Sequence, residues 1–72
     1  MGVMDWRPFI PALQEALNSE QEWERIEAAR SLARMSVPEI RAILEAARRD
    51  PEPAVRKAVR EALQRFDRRR AP

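Results

Sequence analysis

The chain has 72 residues, of which 44% are hydrophobic and 36% are charged, and its net charge is +2. It contains no cysteine, no histidine and only one glycine, which excludes disulfides, histidine-based triads and glycine-rich phosphate loops. This composition favours a binding or structural module over an enzyme. No apolar run approaches the roughly 20 residues that span a bilayer. We therefore expect a cytoplasmic location, no cofactor, no metal and no membrane partner.

The first predicted helix begins at about Asp5 or Pro8 and ends at Leu17. Its apolar side chains recur at the 3.6-residue period of one helix face. They are Phe9, Ile10, Leu13, Ala16 and Leu17. Pro11 lies inside this segment, so the helix either begins late or bends there, because proline removes a backbone donor.

The second predicted helix spans about Glu20 to Met35. Ser19, followed three residues later by Glu22, matches a capping box, which satisfies the first backbone N–H groups of a helix. The apolar arc of this helix is about 180° wide, broader than that of an ordinary surface helix. We therefore expect two neighbours, one on each side of it. The arc contains Trp23, Ile26, Ala28, Ala29, Leu32, Ala33 and Met35.

The third predicted helix follows a second capping box, formed by Ser36 and Glu39, and ends at about Arg49. Its apolar stripe again has the period of a helix. The stripe consists of Val37, Ile40, Ile43, Leu44 and Ala47.

The fourth predicted helix begins at about Pro53, where the carboxylate of Asp50 can cap it. Its apolar stripe is narrow and consists of Val55, Val59, Ala62, Leu63 and Phe66. We expect the helix to end at Phe66 or Arg68, and the arginine-rich residues 68–72 to fray. No segment shows the alternation of a strand, which predicts an all-α fold.

An internal repeat relates the two halves of the chain. A shift of 31 residues aligns the second helix with the fourth and places Arg25 on Arg56. Repeat periods of about 20–50 residues are typical of stacked helix pairs, the principle of an α-solenoid. We therefore predict a single domain, residues 1–72, made of two stacked antiparallel hairpins at about residues 5–35 and 37–67.

The segment Asp50–Arg56, followed by Val59, Ala62 and Leu63, resembles the second helix of a HEAT repeat. The likeness is greatest to the bacterial type found in phycobilisome-lyase-like proteins. The first hairpin is similar, but it has Ser19 where the family favours Asp and Glu24 where Val is usual. The resemblance implies a short α-solenoid that serves protein–protein interaction or scaffolding and has no catalytic activity.

The resemblance also implies roles for two sets of residues. Asp50, Arg25 and Arg56 would form hydrogen bonds that tie neighbouring repeats, which is a structural role. The second and fourth helices would line the concave side of the stack. Trp23 is a candidate contact anchor there if it is exposed, although it and Trp6 could instead close the core. The candidate partner-binding face consists of Arg30, Arg34, Lys57, Glu61, Arg65 and Trp23.

Both outer flanks of the domain are expected to be polar and closed. On one flank, apolar positions of the second helix align with polar positions of the fourth. These are Ile26, Ala29 and Ala33 against Lys57, Arg60 and Gln64. The opposite flank is expected to show Glu24, Glu27 and Ser31 from the second helix and Gln14 and Glu15 from the first. We therefore expect a complete two-hairpin domain.

The distribution of charge leaves the partner open. Residues 1–36 carry four basic and six acidic groups, net −2, whereas residues 37–72 carry ten basic and six acidic groups, net +4. This asymmetry fits another protein with an acidic surface, or self-association into a homo-oligomer. One alternative is a nucleic-acid-binding helical module that uses the arginine-rich second half. The basic set is Arg56, Lys57, Arg60, Arg65, Arg68, Arg69 and Arg70. Another alternative is a designed or minimised repeat scaffold with no evolved partner.

Overall fold

The computed structural model describes residues 7–35 and 37–70, with residues 69 and 70 described as backbone only. A 3-10 turn at Arg7–Phe9 leads into α1 (Ile10–Ala16), and α2 (Glu22–Leu32), α3 (Glu39–Ala46), a second 3-10 turn (Ala47–Arg49) and α4 (Pro53–Arg70) follow. The described residues contain no strand. The four helices pack as antiparallel hairpins, α1 with α2 and α3 with α4, so the predicted all-α hairpin solenoid is confirmed.

The start of α1 agrees with the late start that Pro11 predicts. The helix begins at Ile10, so Pro11 lies in its first turn. Proline is tolerated there because the first N–H groups of a helix have no partner within the helix.

The capping box predicted before α2 is wrong. The Ser19 hydroxyl accepts a hydrogen bond from the backbone N–H of Gln21 at 3.1 Å, and no side chain caps the helix. Gln21 is extended, with φ −86° and ψ 120°, so α2 begins at Glu22 and not at Glu20. A serine hydroxyl that accepts a hydrogen bond from the N–H two residues ahead stabilises a turn. This bond competes with the hydrogen bond from the N–H three residues ahead that a capping box requires.

The predicted cap of α3 cannot be compared in full, because Ser36 lies outside the described residues. Pro38 stands at the cap position of α3 and Glu39 is the first residue of the helix. The carboxylate of Asp50 accepts the backbone N–H of Glu52 at 2.9 Å. This bond closes a turn directly before α4, which begins at Pro53 as predicted.

The last helix, α4, extends to Arg70 and so passes the predicted end at Phe66 or Arg68. No glycine or proline interrupts residues 54–70, and arginine is a good helix former. The charged composition of this end suggested fraying, but it contains no residue that breaks a helix.

The core lies where α4 packs against both α2 and α3, while α1 covers the other side of α2. The broad apolar arc of α2 therefore has the two neighbours that it predicts. The largest fully buried side chains are Leu32, Ile40, Leu44, Val55, Val59 and Phe66. Among the residues described, no charged or polar residue is fully buried. The contact between α2 and α4 also buries four alanines, which let the two helix backbones approach closely: Ala29, Ala33, Ala58 and Ala62.

Candidate functional site

A cleft of about 150 Å³ lies between α2 and α4. Its floor is made of small side chains, Ala33, Ala58 and Ala62. Its walls are charged and come from both hairpins: Arg30 and Arg34 on one side, Glu61 and Arg65 on the other. Four of the six residues predicted for the partner-binding face therefore meet at one cleft.

Three guanidinium groups and one carboxylate line this cleft, so its charge is positive. Arg30 donates a hydrogen bond to Glu27 at 3.3 Å, and both side chains are 61% exposed. Within the described part of the chain, the side chains of Arg34 and Arg65 form no ion pair. They are available to an external acceptor, and arginine suits carboxylates because its planar donors form two parallel hydrogen bonds.

The other two residues predicted for this face, Trp23 and Lys57, do not line the cleft. Trp23 lies in the first turn of α2 and is 64% exposed, so it does not close the core. It precedes Arg30 by seven residues, which places both on the same helix face about 10 Å apart. Lys57 is exposed one turn before Glu61. The second tryptophan, Trp6, lies outside the described residues.

The residues predicted to be structural meet at the turn between α3 and α4. Arg25 extends from α2 and donates to Asp50 through Nε at 2.9 Å and through Nη2 at 3.4 Å. Its Nη1 also donates to the backbone carbonyl of Ser19 at 2.6 Å. The Arg25 and Asp50 side chains are only 12% and 9% exposed, so this ion pair is nearly enclosed and joins the two hairpins.

Arg56 repeats part of this pattern in the second hairpin. It donates to the carbonyl of Asp50 at 2.8 Å and to that of Pro51 at 3.0 Å. Arg25 and Arg56 thus each bind the carbonyl six residues earlier, in the turn of their own hairpin. Of the two arginines, Arg25 also binds an aspartate of the other hairpin, Asp50. The position equivalent to Asp50 in the first hairpin is Ser19, which has no carboxylate.

The flank formed by α3 and α4 carries a chain of ion pairs that sequence reasoning missed. Arg41 contacts Asp67 on α4 and Glu45 one turn along α3, and Glu45 also pairs with Arg48 at 3.2 Å. The hydrogen bond to Asp67 and the charge of that carboxylate raise the pKa of Arg41 above its ordinary value. The spacing within α3 could have indicated its internal pairs, but only the packing of α3 on α4 brings Asp67 to Arg41.

The opposite flank differs from its prediction. A groove of about 270 Å³ lies between α1 and α2 and is lined by Phe9, Ala12, Leu13, Ser31, Arg34 and Met35. Gln14 does not reach this flank, because it lines the grooves between α1 and α3. Leu13 packs against the core, and the next residue lies about 100° further round the helix, which turns Gln14 towards α3. This flank is therefore more apolar than its sequence suggests.

The described residues contain no group of three acidic side chains placed to hold a metal ion. Every buried side-chain nitrogen or oxygen among them has a hydrogen-bond partner. None of their helices combines the length and the apolar character needed to cross a membrane.

Comparisons with known proteins add a family to this geometry. A family profile described as HEAT repeats matches residues 10–72, which is most of the chain. No curated protein and no solved structure matches the chain. Proteins with HEAT repeats generally mediate protein–protein interaction or scaffolding and are typically not catalytic. The match covers both hairpins, and the chain belongs to the HEAT-repeat family.

Proposed function

We propose that the protein is a small interaction module, acting in the cytoplasm without catalysis, that binds an acidic segment of another protein along its concave face. The observation that carries the proposal is the cleft between α2 and α4. There, Arg30, Arg34 and Arg65 surround a floor of alanines. The lack of cysteine is compatible with a reducing compartment.

The cleft suits a peptide segment for two physical reasons. Alanine side chains end one carbon from the backbone, so they leave room for a bound chain to approach both helices. The guanidinium groups at the rim form charge-assisted hydrogen bonds to carboxylates, which are about twice as strong as neutral ones. Glu61 sits among the arginines and disfavours a uniformly acidic segment, so we expect carboxylates alternating with apolar or basic residues.

Trp23 and Lys57 would extend this surface beyond the cleft. Tryptophan and arginine are the side chains that most often carry binding energy at protein interfaces. Trp23 lies two turns before Arg30 on α2, so a helical or extended segment along α2 could contact both. The partner would therefore place an apolar side chain about 10 Å from a carboxylate.

Nucleic-acid binding is less well supported, because the basic residues face different ways. Arg56 binds the carbonyls of its own turn, and Arg65 lines the cleft between α2 and α4. Arg60 is exposed on the side of α4 that faces away from the core. A phosphate backbone needs many cations on one surface, and these are divided among several.

Fluorescence anisotropy of a labelled peptide that alternates glutamate and leucine tests the proposal. We expect Arg65→Glu to weaken binding by about tenfold or more, because it removes a charged hydrogen bond worth about 1.5–3 kcal/mol. Arg60→Glu makes the same charge change on the same helix, away from the cleft, and should have little effect.

Two results would overturn the proposal. One is an equal loss of affinity in both variants, which would mean that the peptide responds to net charge alone. The other is a labelled DNA duplex that binds the protein while the acidic peptide does not. That result would favour the nucleic-acid alternative.

A further inference from the structure

The two flanks of the hairpin stack have opposite character. On the flank of α3 and α4, the side chains of Arg41, Glu45, Arg48 and Asp67 pair with one another. The α1–α2 flank, on the other side, is the surface around the groove between these two helices. It consists of Phe9, Ala12, Leu13, Ser31, Arg34 and Met35. We propose that two copies of the chain associate through their α1–α2 flanks, around a twofold axis near Ser31.

The apolar content of the α1–α2 flank is the first argument. Four of its six residues are apolar: Phe9 is 52% exposed and Ala12 is also exposed. An apolar groove with a polar edge marks an interaction site.

The charge pattern of α2 is the second argument, and it selects a second copy as the occupant. Glu27 precedes Ser31 by one turn, and Arg34 follows it by about one turn, so all three share one side of the helix. A twofold axis at Ser31 sets the two α2 helices antiparallel. Glu27 of each copy then faces Arg34 of the other, which gives two equivalent pairs of opposite charge.

The contact that Glu27 makes within one copy does not prevent these pairs between copies. Among the residues that the structure describes, Glu27 pairs only with Arg30, at 3.3 Å and with both side chains well exposed, and such pairs are weak. A head-to-tail contact is less favourable. It would place the apolar groove against the ion-paired flank of α3 and α4 and take those charges out of water.

Sedimentation equilibrium of the full chain, from micromolar to millimolar concentration, measures this association. We expect the mass to rise from 8.4 kDa towards twice that value. Ala12→Glu places a charge in the groove and should weaken the dimer by about tenfold or more. Ala42→Glu makes the same change at an exposed site between α1 and α3 and should leave the dimer unchanged.

Charge reversal tests the axis itself. Glu27→Arg and Arg34→Glu should each weaken the dimer, because each sets like charges opposite one another. The double variant should restore it. Circular dichroism of every variant shows that the helices remain folded.

Four outcomes would overturn the proposal. They are a mass of 8.4 kDa at every concentration, equal effects of Ala12→Glu and Ala42→Glu, a double variant no better than the single ones, and a monomer that dimerises only after residues 1–6 are removed. The last would mean that the chain's own first residues fill the groove. Arg34 lines both surfaces, whereas Arg65 lines only the cleft and Ala12 only the groove, so the Arg65 and Ala12 variants test the two proposals separately.

Discussion

Replacing Asp50 with alanine should destabilise the fold, because it breaks the ion pair that joins the two hairpins. Its carboxylate accepts hydrogen bonds from Arg25 of α2 and from the backbone N–H of Glu52. Asp50→Ala removes all of these bonds at once. It also leaves the Arg25 guanidinium, whose side chain is only 12% exposed, without a carboxylate.

The expected loss follows from the burial of this pair. Removing one partner of a fully buried ion pair costs about 3–5 kcal/mol, and a hydrogen bond to a charged group is worth about 1.5–3 kcal/mol. Water can still reach the edge of this pair, and Arg25 keeps the Ser19 carbonyl, so we expect about 2–3 kcal/mol. A domain of this size has a free energy of unfolding of only about 4–11 kcal/mol. The melting temperature should fall by roughly 10–20 °C.

Urea denaturation followed by circular dichroism measures the loss. Glu27→Ala is the matched control, because it breaks an ion pair of similar length whose two side chains are 61% exposed. That change should cost no more than about 0.5 kcal/mol. Asp50→Asn keeps an oxygen for the Glu52 N–H but removes the charge, so its loss should lie between the two.

The reasoning would be refuted if Asp50→Ala and Glu27→Ala lowered stability by the same small amount. It would also be refuted if Asp50→Asn were as stable as the unchanged chain. In that case the turn bond to Glu52 would matter, and the bond between the hairpins would not.

Two further predictions concern the core and the exposed aromatic side chain. Phe66→Ala should lower the free energy of unfolding by about 3–5 kcal/mol in urea denaturation, because Phe66 is fully buried. The control is Gln64→Ala on the exposed side of α4, which should change it by no more than about 0.5 kcal/mol. Trp23→Ala should leave stability within about 0.5 kcal/mol but weaken binding of the acidic peptide. A loss above about 2 kcal/mol for Trp23→Ala would contradict its exposed position.

Helix positions and the hairpin order followed from the period of the apolar residues, because that period depends only on local geometry and burial. The ends of the helices were less predictable. Ser19 bonds to Gln21 and not to Glu22, and α4 continues past Phe66. At a helix end, two local hydrogen-bonding patterns differ by little energy, so composition alone does not choose between them.

The candidate site was predictable in part. Arg30, Arg34, Glu61 and Arg65 share one cleft because equivalent helices of two repeats lie side by side, which a repeat period implies. Gln14 was misplaced, because the rotation of the short helix α1 depends on how Leu13 fits the core. One residue of rotation, about 100°, moves a side chain from one surface to another.

The composition and the repeat period were enough to exclude cysteine and histidine chemistry and to predict two helical hairpins. Both conclusions rest on residue identity and on contacts within a helix turn. Two ion pairs, Arg41 with Asp67 and Arg25 with Asp50, join residues that are 25 or more positions apart in the sequence. The apolar character of the α1–α2 flank depends on the rotation of a helix against its neighbours. Such contacts form only when whole helices pack, and packing is a property of the assembled core.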